Sequence, residues 1–325
     1  MGRKALVVGI NNYPSAPLNA PINDAMAMAS LLKTDSDGSP NFAVKTMISP
    51  NEDIDRAKLK SQIDELFKGT PDIALLYFSG HGILTSTGGY IVTPDYKAYD
   101  EGVSMADILT YANGSNAINK VIILDCCYSG AMGEIKGAIH SQISTGLTIM
   151  TACKKSEPAY EKDNSSLFTS LVIDALQGGA ADLGGNISPG SVYSYVDKSL
   201  SEWEQRPIFK TNVETFVSLR KVQPPISRDI IKRLVEFFPT QEDIHKMDPS
   251  YEFTNHPDYK PKDPVEPYAN QTNVETMKQL QALVKVGLVK PEGEEHMYFA
   301  AIKSEGCKLT ALGAHYWRLA KEGLI

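Results

Sequence analysis

The sequence predicts an α/β sandwich with a mostly parallel central sheet, followed by a small C-terminal module. Three observations lead to this prediction. Short apolar runs alternate with helical patterns over the first ~220 residues, two of these runs end in glycine-rich polar segments, and prolines cluster before the tail. A chain of 325 residues has room for two domains, or for one large domain with an appendage.

The predicted strands are short, continuous apolar runs, as expected of strands that are covered on both faces. They are Lys4–Ile10, Phe42–Ile48, Asp72–Ser79, Lys120–Cys126 and Gly146–Ala152, and Val213–Leu219 is a candidate to close the sheet. The predicted helices carry apolar residues at the three- and four-residue spacing of one helical face. They are Ile22–Leu32, Ile54–Phe67, Ser165–Leu176 and Ser191–Leu200.

The composition changes after Arg220, which predicts a domain boundary. Residues 1–220 form the predicted α/β domain. Residues 221–270 are predicted to be a connector, because five prolines between residues 247 and 270 favour an extended, semi-rigid chain. Residues 271–325 form a predicted compact tail.

In the tail, Val274–Val286 and Leu309–Ala320 are predicted helices and Met297–Ile302 is a predicted wing strand, an order that suggests a winged-helix-like module. The tail has seven basic and six acidic residues. Because DNA binding calls for a more basic face, this balance favours a regulatory or interaction role with a protein partner over nucleic-acid binding.

Composition excludes several classes of protein. The formal net charge of −7 argues against general nucleic-acid binding. The apolar runs are far shorter than the ~20 residues of a membrane helix, and the N-terminus lacks a secretory cleavage pattern. Of the cysteines Cys126, Cys127, Cys153 and Cys307, two are adjacent and none forms CxxC, which excludes a disulfide framework and a zinc ribbon. We therefore expect a cytoplasmic protein in a reducing compartment, without membrane contact.

The chemistry is expected at two strand ends. Tyr77–Gly82 (YFSGHG) and Asp125–Gly130 (DCCYSG) each follow an apolar run directly. Ligands bind at the carboxyl ends of strands in open parallel sheets, and glycines let a substrate approach the backbone. A cysteine nucleophile needs a base or a cation nearby, and histidine supplies both. His81 precedes Cys127 by 46 residues, enough for the crossover that makes the two strands neighbours.

These two motifs resemble those of the caspase-like cysteine peptidases, most of all the metacaspase and bacterial caspase-homologue branch. The resemblance covers roughly residues 1–220 and implies a caspase–hemoglobinase fold, with His81 and Cys127 as the catalytic pair. Cys127 fills the nucleophile position, whereas Cys126 fills a variable one and is expected to be structural. The backbone N–H groups of Gly82 and Cys127 would form the oxyanion hole. No third catalytic residue is evident, and the family does not require one.

The resemblance also implies a substrate preference. Asp24, Ser79 and Asp125 match residues that line the S1 pocket of metacaspases, which binds the residue before the scissile bond. Two carboxylates in a partly desolvated pocket favour a cation, so we expect protein or peptide substrates with Arg or Lys at P1. The alternative for Asp24 is a helix cap or a solvated turn. Residues 166–169, Ser-Leu-Phe-Thr, resemble the start of the family's small-subunit region.

Many metacaspases need calcium, and Asp95 matches one of the aspartates that hold it. The paired aspartates expected further along the chain are replaced near residues 104–106. Calcium prefers six to eight oxygen ligands, many of them carboxylates. We therefore expect activity without calcium, no metal site and no cofactor.

A protease with this preference could also process itself. Lys136 is the only lysine or arginine between Tyr128 and Thr145, a predicted exposed loop. Lys260 and Lys262 lie in the proline-rich connector, where a cut would release the tail. Two other functions stay open: an inactive or weakly active caspase homologue that acts as a scaffold, and a DNA-binding regulator that acts through the tail. By resemblance, regulated proteolysis of this kind serves stress response or defence.

Overall fold

The computed structural model describes residues 2–49, 53–126, 143–152, 161–162, 165–201, 206–259 and 263–325. The chain divides into two compact units, Met1–Gln223 and Pro224–Ile325. Each unit is described by itself below.

The first unit begins with β1 (Arg3–Gly9), α1 (Pro21–Lys33), β2 (Ala43–Ile48), α2 (Arg56–Phe67) and β3 (Ile73–Ser79). Next come β4 (Gly82–Thr85), β5 (Gly88–Lys97), β6 (Asp100–Ser104) and α3 (Met105–Asn113). The unit continues with β7 (Asn119–Asp125), β8 (Leu147–Thr151), β9 (Glu161–Lys162), β10 (Ser165–Ser166) and α4 (Leu167–Asp174), which runs into a π-helical turn at Ala175–Gly179. Its last elements are β11 (Asn186–Ile187), α5 (Pro189–Ser199), β12 (Ile208–Asn212) and β13 (Arg220–Lys221).

The central sheet of the described residues has six strands in the order β12–β8–β7–β3–β1–β2. Neighbours from β8 to β2 are parallel, and only the edge strand β12 runs antiparallel to its neighbour β8. The predicted α/β fold with a mostly parallel central sheet is therefore confirmed.

Helices cover both faces of this sheet. Successive strand residues point to opposite faces, so each strand contributes to two apolar clusters. Leu76 and Phe78 of β3 belong to the cluster that includes residues of α2 and α3. Leu75 and Tyr77 of the same strand belong to the cluster that includes residues of α1, α4 and α5. Burial on both faces explains why β3 and β7 are continuous apolar runs in the sequence.

Two features of the first unit differ from the sequence prediction. Val213–Leu219 does not close the sheet, because the edge strand is β12 at Ile208–Asn212. Val213 and Phe216 are exposed and only the end of that segment is buried, which is not the alternation of a strand. The antiparallel sheet of β4, β5 and β6 is also missing from the prediction, because glycines and polar residues obscure its apolar pattern.

The second unit consists of α6 (Arg228–Lys232), α7 (Leu234–Phe237), β14 (Ile244–Lys246), a 3₁₀ turn at Pro249–Tyr251, α8 (Gln271–Lys285), β15 (Val289–Glu292), α9 (Met297–Ile302), β16 (Gly306–Leu309) and α10 (Ala311–Lys321). It begins at Pro224, within the segment 221–270 that was predicted to be a connector. Leu234 and Phe238 of that segment are fully buried. The prediction of an extended connector is therefore wrong for these two residues. They precede the proline cluster, and their apolar side chains belong to the interior of the second unit.

Met297–Ile302 is the helix α9 and not the predicted wing strand. Met297, Ala300 and Ala301 are buried, a three- and four-residue spacing that belongs to a helix. The predicted tail helices correspond to α8 and α10, and β14, β16 and β15 form an antiparallel sheet in that order. The winged-helix assignment stays a prediction. No helix in the described part of the chain is both long and apolar enough to cross a membrane.

Candidate active site

The carboxyl ends of β3 and β7 lie side by side. The two strands pair in parallel over their whole length, with Ser79 opposite Asp125. The backbone N–H of Gly80 also donates to the carbonyl oxygen of Asp125 at 3.3 Å, just beyond the last residue of β3. On its other side β3 pairs with β1, whose last residue Gly9 lies opposite Ser79. Three strand ends therefore meet at one edge of the sheet, where the sequence predicts the chemistry.

His81 lies directly beyond this edge and is held by the loop that follows β1. Its Nε2 atom is 2.7 Å from the carbonyl oxygen of Ala16. Because a carbonyl oxygen only accepts, Nε2 carries the proton in this hydrogen bond, and Nδ1 is the basic nitrogen of the neutral ring. The Tyr13 ring packs against the imidazole with 4.5 Å between the ring centroids. The loop therefore determines both the tautomer and the orientation of His81.

Tyr13 also holds the backbone on which His81 is mounted. Its hydroxyl accepts the backbone N–H of His81 at 3.0 Å and donates to the carbonyl oxygen of Val92 at 3.2 Å. Burial raises the pKa of Tyr13 well above its ordinary value, so the phenol keeps the proton that it donates. Residue 80 has to be glycine here, because a Cβ atom would approach the Tyr13 hydroxyl oxygen to 2.5 Å.

Asp24, the first predicted S1 residue, is placed by the close packing of α1 on β1. A Cβ atom at Gly9 would lie 2.5 Å from the carbonyl oxygen of Pro21 and 2.7 Å from Cβ of Ala25. Glycine at this position therefore lets the first turn of α1 approach the end of β1. Asp24 lies in that first turn, where the helix dipole stabilises a carboxylate.

The three predicted S1 residues are all buried at this end of the sheet. Asp24, Ser79 and Asp125 are 1%, 2% and 4% exposed. The pKa of the fully buried Tyr77 lies well above its ordinary value, first because of burial and then because of the negative charges of Asp125 and Asp24. The two carboxylates therefore lie near the same phenol, so Asp24 is neither a solvated turn residue nor the cap of α1, whose N-cap is Ala20.

The start of α4 binds the Asp24 carboxylate. The Ser165 hydroxyl donates to Oδ1 at 2.6 Å, and the backbone N–H of Ser166 donates to Oδ2 at 3.2 Å. Ser166 is also the N-cap of α4, and its side chain accepts the backbone N–H of Thr169. Both oxygens of Asp24 are thus accepting hydrogen bonds from one short segment.

The same segment binds Asp125. The Thr169 hydroxyl lies 2.5 Å from Oδ2 of Asp125 and 2.6 Å from the hydroxyl of Tyr77. Thr169 is fully buried, as is Tyr77. Residues 166–169 were expected to matter only through the family resemblance, because hydroxyls that bind carboxylates across more than 40 positions leave no local pattern in the sequence.

Several predicted residues lie outside the described residues: Cys127, Lys136, Lys260 and Lys262. Cys153 lies outside them too. Cys126, expected to be structural, is 1% exposed in the apolar cluster that includes α2 and α3. Gly82, expected to contribute to the oxyanion hole, is the first residue of β4.

The surroundings of Asp95 do not fit a calcium site. Both Asp95 oxygens accept the backbone N–H of Arg56, at 3.2 and 3.3 Å, and the Arg56 guanidinium pairs with Asp100. Asp95 is therefore already used by a backbone N–H, and the Asp100 carboxylate is already paired with a cationic side chain. Among the described residues, no group of three or more His, Cys, Asp or Glu side chains could hold a metal ion. Activity without calcium stays a prediction.

The comparisons with known proteins concern the first unit. A family model of the caspase domain matches residues 2–224. The structure of a protein from Geobacter sulfurreducens has a TM-score of 0.52 at 18% identity, and the match covers 69% of this chain and 98% of that one. Caspase-1 from Spodoptera frugiperda has a TM-score of 0.49 at 13% identity, covering 68% and 91%. No curated protein matches. At these identities the structural likeness concerns the fold alone.

Tyr13→Phe should destabilise the first unit by about 1–3 kcal/mol. The substitution keeps the ring against His81 but leaves the His81 N–H and the Val92 carbonyl without their buried partner. Tyr99→Phe is the matched control, because the Tyr99 side chain is 98% exposed, and it should stay within about 0.5 kcal/mol of the wild type. Calorimetric unfolding of the three proteins measures this. Equal stabilities for Tyr13→Phe and Tyr99→Phe would show that the Tyr13 hydroxyl does not hold the backbone.

Proposed function

The chain belongs to the caspase-domain family of cysteine peptidases, and we propose that it cleaves peptide bonds after Arg or Lys through Cys127 and His81. The observation that carries the proposal is the burial of two carboxylates, Asp24 in the first turn of α1 and Asp125 at the end of β7, which lies opposite the end of β3 that His81 follows. The resemblance of its two motifs leads us to place the chain nearer to the metacaspase branch of the family than to the aspartate-directed caspases.

In the proposed reaction His81 activates Cys127. Nε2 keeps its proton, which it donates in the hydrogen bond to the Ala16 carbonyl oxygen, so Nδ1 is the nitrogen that takes the thiol proton. The thiolate sulfur then attacks the carbonyl carbon of the scissile bond. The oxyanion that forms is stabilised by the backbone N–H groups of Gly82 and Cys127.

The tetrahedral intermediate then collapses to products in two steps. His81 returns its proton to the nitrogen of the scissile bond, which leaves as the free amine, and the acyl group stays on Cys127 as a thioester. Water next attacks the carbonyl carbon of the thioester while Nδ1 takes one of its protons. The C–S bond then breaks, the carboxylic acid leaves, and Nδ1 returns the proton to the Cys127 sulfur. The hydrogen bond to Ala16 and the packing of Tyr13 keep the imidazole oriented through both steps.

The buried carboxylates select a basic P1 residue by electrostatics. Two unit charges 4 Å apart attract each other by about 1 kcal/mol in water but about 4 kcal/mol at the effective dielectric constant of a protein surface. Asp24 and Asp125 are almost fully shielded from solvent, so their negative potential is only weakly screened. An acidic P1 side chain would meet the same potential as repulsion.

We place this peptidase in regulated proteolysis during stress response or defence, with the second unit as a site for a regulatory protein partner. If the enzyme matures by self-cleavage, we expect one cut after Lys136, between Tyr128 and Thr145, and a cut after Lys260 or Lys262 that releases the tail. These biological assignments rest on the family resemblance and on the charge balance of the tail.

Cys127→Ala should abolish peptide cleavage, whereas Cys126→Ala should keep most of it. The motif register puts only Cys127 in the nucleophile position, and the Cys126 side chain is buried in the apolar cluster. Turnover of an Arg-containing fluorogenic peptide by the two folded variants measures the difference. Loss of activity in Cys126→Ala, with activity kept in Cys127→Ala, would reverse the assignment.

Asp24→Ala and Asp125→Ala should each reduce kcat/KM for Arg and Lys substrates by ~30-fold or more. Removing one of two charges that bind a buried cation costs on the order of 2–5 kcal/mol. Asp107→Ala is the control, because Asp107 forms a surface ion pair with Lys60 instead. The acidic-pocket model is wrong if both pocket variants cleave basic substrates at the wild-type rate.

A further inference from the structure

One short segment, Ser165–Thr169, binds both carboxylates of the proposed pocket. None of its residues has a role in the proposed reaction or contributes charge to the pocket. We propose that Thr169 is a positioning residue that determines specificity, because its hydroxyl orients the Asp125 carboxylate toward a basic P1 side chain. This inference rests on the proposed function and names the residue that makes its pocket selective.

The direction of the hydrogen bonds follows from the chemistry of the three groups. An ionised carboxylate only accepts, so Thr169 donates its single proton to Oδ2 of Asp125. The Thr169 oxygen must then accept the proton of the Tyr77 hydroxyl, which lies 2.6 Å away. The raised pKa of Tyr77 keeps that proton in place. The two hydrogen bonds therefore have the same direction: Tyr77 donates to Thr169, and Thr169 donates to Asp125.

The three hydrogen-bonded residues lie in three different secondary-structure elements. Tyr77 lies in β3, Asp125 ends β7, and Thr169 lies in the first turn of α4, which Ser166 caps. Tyr77 and Thr169 are fully buried and Asp125 is 4% exposed, so water is a poor substitute donor. A hydrogen bond to a charged group in such surroundings is strong and costly to lose.

Ser165 completes the arrangement on the Asp24 side. Its hydroxyl donates to Oδ1 of Asp24, and the neighbouring Ser166 N–H donates to Oδ2. Thr169 and Asp125 are 44 positions apart in the sequence. The start of α4 therefore fixes both carboxylates of the pocket, and it joins parts of the chain that are distant in sequence.

The test compares Thr169→Val with Thr169→Ser and with Thr148→Val in the full-length chain. Valine keeps the shape of threonine but removes the hydroxyl, and serine keeps the hydroxyl. Thr148 is an equally buried threonine in β8, and its hydroxyl bonds to that of Thr211 instead of to a carboxylate. Melting temperatures establish that each variant is folded. The readouts are kcat and KM for an Arg peptide, and the rate at which iodoacetamide alkylates Cys127.

For Thr169→Val we expect a roughly 10- to 100-fold loss of kcat/KM on the Arg peptide, mainly through KM. Thr169→Ser should recover most of this loss, and Thr148→Val should stay close to the wild type. Iodoacetamide is uncharged and does not need the S1 pocket, so the alkylation rate of Thr169→Val should remain within about two-fold of the wild type.

Four results would overturn the inference. An unchanged KM in Thr169→Val, in an enzyme that prefers basic substrates, would remove the role of Thr169 and leave the proposed function intact. A loss of alkylation equal to the loss of turnover, or no recovery with serine, would show general damage instead of positioning. A wild type that alkylates normally but rejects Arg peptides would refute the proposed function itself, and this inference with it.

Discussion

The parallel register of β3 and β7 is the constraint on which the candidate site depends. Ser79 lies opposite Asp125, and the N–H of Gly80 continues the contact past the strand. A shift of one residue would turn every side chain of one strand to the other face, and would move Tyr77 from Thr169 into the opposite apolar cluster. Every residue of β3 and β7 is buried, so the residues of the site are held within the same apolar packing that stabilises the sheet.

Around this edge, the site is assembled by backbone groups and small side chains. The loop after β1 orients His81 with one carbonyl oxygen, and Gly9 lets α1 place Asp24 close to the strand ends. Hydroxyls at the start of α4 then bind the two carboxylates. Burying two negative charges together is costly, and these hydrogen bonds offset part of the cost. A basic P1 side chain would offset more of it, which is the physical basis of the proposed preference.

Apolar runs and glycine-rich strand ends were enough to predict most of the central sheet, the two motif-bearing strands and the position of His81 directly after one of them. Asp24, Ser79 and Asp125 were expected from the family resemblance, and the structure brings them to the same edge of the sheet. The rest could not be predicted for identifiable reasons. The contact of the Ala16 carbonyl with His81 could not be predicted because any residue has a backbone carbonyl. The contacts of Thr169 could not be predicted because its partners are distant in the sequence. Met297–Ile302 has aromatic and branched residues typical of a strand, but tertiary packing buries Met297, Ala300 and Ala301 as one helical face. The connector predicted from the proline cluster begins too far upstream, because it includes Leu234 and Phe238, whose side chains are fully buried.

The most direct test of the account is the P1 preference of the wild-type enzyme. A set of fluorogenic peptides that differ only at P1, with Arg, Lys, Leu or Asp, would be assayed without added metal. The account predicts rapid cleavage of the Arg and Lys peptides and none of the Asp peptide, since two buried carboxylates attract a cation and repel an anion. Cleavage of the Asp or Leu peptide as fast as the Arg peptide would contradict it.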